Sequence, residues 1–339
     1  MTMLTIPTRT GETYAERALT SGGMNDGMIA GLMLDRAAIR AARAEYAAFR
    51  RVHGYAGGAR ILTRPDAQPK LGKSVRYALG LMLTPARTMS VDVLRVTDVT
   101  ARPVNACPRA SAGCAAACLA TAGHGAFSST QRARQIRHAF VLQHPYAAGV
   151  IIGAEIRADV DKHGAGNVTF RFNVLTDYRI EFIMPGALAM LQTLGVRVYD
   201  YTAWAPESRT PVFGYALTYS AKETAHTSDA YLARVLMDGH NVAMPLNVRK
   251  GSPLPESYAL TVNGARYAFT VIDGDLTDDR TTDPRGACGV IVGLRPKGNA
   301  GKRDASGFIR TVPAACACGA SLEDYFPGVT QCDDCADGF

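Results

Sequence analysis

No apolar run in this sequence approaches the ~20 residues that a membrane-spanning helix needs. The opening residues, MTMLTIPTRTGETYAER, contain no apolar stretch of the signal-peptide kind. From these absences we expect a cytoplasmic chain with no membrane partner. No G-x-G-x-x-G follows a strand-like run, so a dinucleotide-binding fold has no support. A P-loop is missing as well. The stretch 273–283, DGDLTDDRTTD, is rich in aspartate but lacks the sixth-position glycine and terminal glutamate of an EF-hand loop. Its Asp273, Asp275, Asp278, Asp279 and Asp283 suit turns or substrate positioning better than a Mg2+ or Ca2+ site.

What is present bounds the rest. A chain of 339 residues, 47% hydrophobic, holds one large α/β domain with additions, or two domains. The net charge of +7 permits contact with nucleic acid without requiring it. A basic segment at 59–76 (Arg60, Arg64, Lys70, Lys73, Arg76) is where such contact would fall. Eight cysteines in a cytoplasmic chain point to ligands before disulfides.

Three of the eight, Cys107, Cys114 and Cys118, have C-x6-C-x3-C spacing. On a helix the last two would share a face. Three soft thiols suit a metal or an iron–sulfur cluster better than a disulfide, since three is odd. The spacing is neither the C-x3-C-x2-C of most radical S-adenosylmethionine enzymes nor a common zinc spacing. Redox-active cysteines and buried structural thiols are the competing readings. Cys288 is either a fourth ligand or a buried thiol. Near the end, Cys316, Cys318, Cys332 and Cys335 form C-x-C and C-x2-C pairs thirteen residues apart. These resemble a zinc ribbon or knuckle.

Along the chain, residues 1–30 carry little pattern and read as a loose arm. Residues 29–52 read as one helix. Strands are expected around 77–83 and 92–98. A helix rich in Arg132, Arg134 and Arg137 is expected from about Ser128, and another from Pro145. From 167 onward strands and helices alternate. Strand-like runs are NVTFRFNVLTD, VRVYDYTAW, VFGYALTYS, NVAMPLNV, YAFTVIDGD and GVIVGLRPK. Such alternation implies βαβ units and a mostly parallel sheet. The expected fold class is therefore α/β, a complete or partial (β/α) barrel with an N-terminal helical extension and a small C-terminal zinc-ribbon-like tail. The domains would be 1–74, 75–312 and 313–339.

In barrels, functional residues gather where strands end. The candidate substrate contacts there are Asn173, Asp177, Asp200, Tyr201, Asp275, Arg280, Arg295 and Lys297. Lys222 ends another strand with Tyr219 and Ser220.

Several stretches together resemble one family. They are Cys107-Pro108 with Cys114, Cys118 and Gly123; RFNVLTD (Arg171–Asp177); VYDYT (Val198–Thr202); and DGD-x2-D-x-R (Asp273–Arg280). VIVGLRPKG (Val290–Gly298) and SGF (Ser306–Phe308) complete the set. The chain is similar to the bacteriophage and mobile-element gene product 88 family over roughly 75–310. That resemblance implies a phage or plasmid origin and a cluster. The family's YDYT is commonly followed by lysine, where this chain has Ala203. The layout looks like radical S-adenosylmethionine proteins in outline only, with IIGAEI (Ile151–Ile156) the one glycine-bearing stretch resembling their cofactor motif.

Two functions follow as expectations. The first is an iron–sulfur enzyme. Cys107, Cys114 and Cys118 would bind a [4Fe–4S] cluster whose open iron takes a substrate or S-adenosylmethionine. The second is an accessory protein without catalysis, stabilised by Zn2+ at the tail cysteines and binding nucleic acid.

Overall fold

The computed structural model describes residues 13–68, 71–85, 104–297 and 303–312. Among these, the helices are α1 (Tyr14–Ser21), α2 (Met24–Leu32), α3 (Arg36–Val52), α4 (Ala112–Ala116), α5 (Ser128–Gln143), α6 (Pro145–His163), α7 (Ile180–Ile183), α8 (Pro185–Thr193) and α9 (Asp229–Met237). The strands are β1 (Tyr77–Gly80), β2 (Val168–Arg171), β3 (Arg197–Thr202), β4 (Tyr215–Ser220), β5 (Asn241–Pro245), β6 (Ser257–Val262), β7 (Ala265–Asp273) and β8 (Ile291–Leu294).

The N-terminal part is more structured than its sequence pattern suggests. Thr13 and Glu16 form a reciprocal capping box that starts α1. One helix was expected over 29–52, but two are found. Leu34 adopts a left-handed conformation (φ 59°), and the Asp35 carboxylate accepts from the Ala37 and Ala38 amides. A side chain that satisfies backbone amides starts a new helix instead of continuing the old one. The loose arm expected over 1–30 is helical from Tyr14. Residues 1–12 lie outside the described residues, as does the strand expected at 92–98.

Helix α2 crosses α6 at backbone contact. A Cβ on Gly27 or Gly31 would fall 2.1 or 2.2 Å from the Tyr146 or Val150 carbonyl oxygen. From the other side, Cβ atoms on Gly149 and Gly153 would meet the Met24 and Met28 carbonyls at 2.5 and 2.3 Å. Gly153 therefore serves helix packing, and IIGAEI lies within α6 against Met28 and Leu32, not in a cofactor loop. One cluster of buried apolar side chains runs from Ala15 in α1 to Ile291 in β8.

The eight strands form one mixed sheet in the order β1-β2-β3-β4-β5-β8-β7-β6. All neighbours are parallel except β6, which lies antiparallel on β7. The sheet is not closed. The β6–β7 hairpin was not anticipated, although its turn signal is present: Asn263-Gly264 joins the two strands with φ of 51° and 81°. Regular β/α alternation also fails between β3 and β4. The connection there carries only a single-turn 3-10 helix, Pro206–Ser208.

The pairing register sorts the side chains by face. Val168, Phe170, Val198 and Leu217 share one face and join the apolar core with the helices. Thr169, Arg171, Tyr199, Tyr201 and Thr218 share the other. The β7–β8 connection packs against that second face, with Asp278 reaching Arg171 and Tyr199.

Candidate functional site

The cysteine segment lies over the carboxyl ends of the parallel strands. Backbone bonds fix it there: the Asp177 amide donates to the Ala106 carbonyl at 2.8 Å. The Cys107 thiol donates to the Leu175 carbonyl at 3.3 Å. Ser111 caps α4 by accepting from the Cys114 amide. The Gly113 amide donates to Glu223 Oε1 at 2.5 Å. A Cβ at Gly113 would sit 2.4 Å from Ser306 Oγ and 2.6 Å from Phe308 Cβ, so the Ser306–Phe308 motif closes directly on the cysteine helix. From α5, Arg134 donates to the Ala120 and Gly125 carbonyls, binding the far end of the segment.

Cys114 and Cys118 do not share a helical face as expected. Helix α4 ends at Ala116, and Cys118 opens the next 3-10 turn. They still sense each other electrostatically. Burial pushes the Cys114 thiol up to about 12, with Cys118 and Asp177 adding to the shift and Lys222 opposing it. Burial also raises Cys118, against the pull of the Ala120 backbone and Arg134. All three cysteines are half-buried. Among the described residues, no three His, Cys, Asp or Glu side chains are assembled in metal-holding geometry. Cys288 is neither a buried thiol nor a neighbour of the other three. It is exposed beside Gly289, which abuts His240 at the amino end of β5. Cys316, Cys318, Cys332 and Cys335 lie outside the described residues.

Beside the cysteines is a cleft of about 270 Å3. It opens where β3 and β4 lack a crossover helix to cover them. Its lining includes Arg109, Trp204, Tyr219, Lys222, His226 and Tyr231. The Arg109 guanidinium lies 4.7 Å over the Trp204 ring. Trp204 is fixed by donating from Nε1 to the Asp177 carbonyl at 3.0 Å. Burial lowers the Lys222 ammonium, with Asp177 and Cys114 opposing and Arg109 reinforcing the shift.

The expected rim residues fall into three groups. Asn173, Asp177 and Asp200 support the cysteine end. The Asp200 carboxylate accepts from the Asn173 amide at 2.6 Å and from the Tyr215 hydroxyl at 2.7 Å. Asp177 Oδ2 accepts from the Ala203 amide, while its buried Oδ1 has no hydrogen-bond partner and stands 3.8 Å from Arg209. Tyr201 and Arg280 belong to the opposite face, Tyr201 half-buried and Arg280 buried with Asp278 and Asp283. Asp275, Arg295 and Lys297 bind one another. Arg295 lies 3.3 Å and Lys297 2.7 Å from Asp275, and Arg295 also holds Asp273 at 2.8 Å. With Asp279 on Arg76, every aspartate of 273–283 has a cationic partner, which accounts for the cluster without a metal. Sequence reasoning missed Arg109, Trp204, Glu223 and His226. Arg109 follows Cys107-Pro108 directly, so its signal was its position.

Residues 62–312 match the family model described as gene product 88. The chain belongs to the gene product 88 family. The matched span takes in the cysteine segment, the cleft, the aspartate-rich connection and the Ser306–Phe308 motif. Helices α1 to α3 and the tail cysteines fall outside the span that defines gene product 88. Comparison with curated proteins and with solved structures gave no match. No single helix among the described residues is long and apolar enough to cross a membrane.

Proposed function

We propose that this gene product 88 protein is an iron–sulfur enzyme of radical S-adenosylmethionine-like layout. Cys107, Cys114 and Cys118 would hold a [4Fe–4S] cluster beside the cleft at the strand ends. The observation that carries this reading is position. A segment with three thiols is bound onto the carboxyl ends of parallel strands, where α/β folds place their chemistry.

The donor chemistry fits a cationic centre. Cys114 is buried beside a second thiol and beside Asp177, whose Oδ1 has no hydrogen-bond partner. A positive centre there would stabilise the thiolates that burial disfavours. Cys107, Cys114 and Cys118 would hold the cluster by three irons, and it would supply an open site for S-adenosylmethionine or a substrate. The protein's own part is to hold the ligand in the cleft. Asp177 positions Trp204 and the Ala203 amide, and Lys222 faces the thiols with positive charge.

We read the open sheet as a partial barrel. Lys73, ahead of β1, donates to the Asp275 carbonyl at 2.7 Å, and Arg76 pairs with Asp279 at 2.8 Å. Both reach from the β1 edge to the connection leaving β7, which supports a curled sheet. These bonds also bear on the nucleic-acid reading. Arg60 and Arg64 pair with Asp159, and Arg76 with Asp279. The basic segment thus directs much of its charge inward, away from a phosphate backbone.

Anaerobic purification with iron and acid-labile sulfide analysis, beside a Cys107/Cys114/Cys118→Ala variant, tests the proposal. Iron, sulfide and broad absorbance near ~400 nm, all lost in the variant, are expected of thiolate ligation. Zinc alone, or iron retained in the variant, would overturn it.

A further inference from the structure

The cleft beside the cysteines gathers positive charge with no carboxylate in ion-pairing contact among the described residues. Arg109 reaches it from the cysteine segment, Lys222 from the end of β4, and His226 from the following loop. Neither Arg109 nor Lys222 has a carboxylate within ion-pairing distance among the described residues. Lys222 senses Asp177, Glu223 and Cys114 only at longer range, and it also senses Arg109, a like charge. Glu207, the acid on the near 3-10 turn, is turned to Arg234 at 3.2 Å. Two cations facing each other in a partly desolvated hollow repel. A bound anion removes that cost.

The walls narrow the kind of anion. Tyr231 is half-buried in the lining, Trp204 and Tyr219 are nearly fully buried there, and Ser208 and Ser220 line the cleft as well. Its volume of about 270 Å3 suits a small ligand. An arginine and a lysine with a histidine match a dianion better than a single carboxylate. We propose that this cleft binds a small phosphate-bearing molecule with a planar ring. The phosphate lies among Arg109, Lys222 and His226, and the ring lies against Tyr231. This names the ligand class for the substrate cleft of the reading above and rests on that assignment, yet binding itself requires none of the three cysteines.

Trp204 is the only tryptophan in the chain, so its fluorescence reports on the cleft directly. The full chain is titrated with phenyl phosphate, inorganic phosphate and benzoate, and so is the Cys107/Cys114/Cys118→Ala variant. A saturable change with phenyl phosphate is expected in both, with weaker binding of the other two probes. Lys222→Ala and Arg109→Ala should each weaken phenyl phosphate about tenfold. Arg43→Ala, on the exposed face of α3, should leave it unchanged. Circular dichroism screens folding, and Lys222→Gln replaces the alanine variant if that one misfolds. No saturable response to phenyl phosphate overturns the proposal. So does a response that survives both charge removals, or benzoate binding as tightly as phenyl phosphate. Iron in the protein without probe binding sinks this inference alone; probe binding without iron sinks only the cluster.

Discussion

The Glu16 carboxylate and the Arg179 guanidinium, 163 positions apart, form a buried side-on ion pair. Glu16 Oε1 accepts from Arg179 Nε at 3.1 Å and Oε2 from Nη2 at 2.9 Å, while the Arg179 amide adds a further bond at 2.9 Å. The pair ties α1 to the chain just after Asp177, at the floor of the candidate site. Burial acts to raise the Glu16 carboxyl, yet the bonds from Arg179 and the Thr13 amide outweigh it and hold it below its usual value. Glu16→Ala strands a buried guanidinium and should cost about 3–5 kcal/mol. Urea denaturation measures it. The sign with pH follows from the lowered carboxyl. Its contribution is present above the ordinary glutamate range and is lost as pH falls through the folded value. Wild type and variant should therefore converge in acid. A constant gap down to low pH would show that the pair is not what holds the helix.

The glycine crossing of α2 and α6 predicts a steric failure. Gly31→Val puts a Cβ 2.2 Å from the Val150 carbonyl oxygen, and that neighbour is backbone, which cannot rotate away. The helices must separate, so a loss of more than ~3 kcal/mol is expected. Gly58→Val is the control, because nothing lies within 4 Å of a Cβ there. Thermal melts of the two variants should differ by many degrees; equal melts would refute the close crossing.

Those glycines show where the sequence was readable and where it was not. Gly27-x3-Gly31 and Gly149-x3-Gly153 are visible as spacings, but nothing local says that they face each other. The parallel strands were legible because β2, β3, β4, β5 and β8 are short β-branched and aromatic stretches largely buried on both faces. The hairpin partner β6 was harder, since Ser257–Val262 is half exposed and its alternation weak. Cys107, Cys114 and Cys118 announced themselves by chemistry. The cleft did not, because it results from a helix that is missing between β3 and β4. Asp275, Arg295 and Lys297 looked like a substrate rim because opposite charges at strand ends read alike whether they meet a ligand or one another.

His138 predicts a stability change on the acid side of neutrality. It is fully buried in α5, with Nε2 2.7 Å from the Tyr178 hydroxyl. Burial pushes its imidazole down to about 4, against a smaller opposing pull from the Thr84 backbone. A histidine held neutral in the fold stabilises above its unfolded value of 6.5, and stability falls as pH drops from there to about 4. The slope approaches ~1.4 kcal/mol per pH unit. Burial pushes Asp200 up to about 7, which gives the opposite trend over the same window. The decisive quantity is therefore the difference between wild type and His138→Gln. That difference should shrink in favour of the variant from pH 6.5 down to about 4. A difference independent of pH would mean that the imidazole already carries its proton in the fold.

Asp278 and Arg171 make the last case, on the face of the sheet away from the helices. Arg171 Nη1 stands 3.0 Å from Asp278 Oδ2, which also accepts from the Tyr199 hydroxyl at 3.3 Å. Arg171 also donates to the Asn173 and Val174 carbonyls and stands 3.9 Å from Asp200. One guanidinium thus couples the strand end that carries the candidate site to the β7–β8 connection. Asp278→Asn keeps the shape and removes the charge, leaving Asp200, 3.9 Å away, as the carboxylate that still faces the buried cation among the described residues. A loss of about 3 kcal/mol or more is expected. Arg171→Met should cost a similar amount, because it strands the carboxylate instead. The double variant removes both buried charges, so its loss should be well below the sum, with a coupling of about 1–3 kcal/mol. Strict additivity in the denaturation cycle would show that the connection is held by its backbone and that its aspartates are incidental. Coupling would show that charge pairing seats it, and that disturbing it will be felt at Asn173 and Asp200.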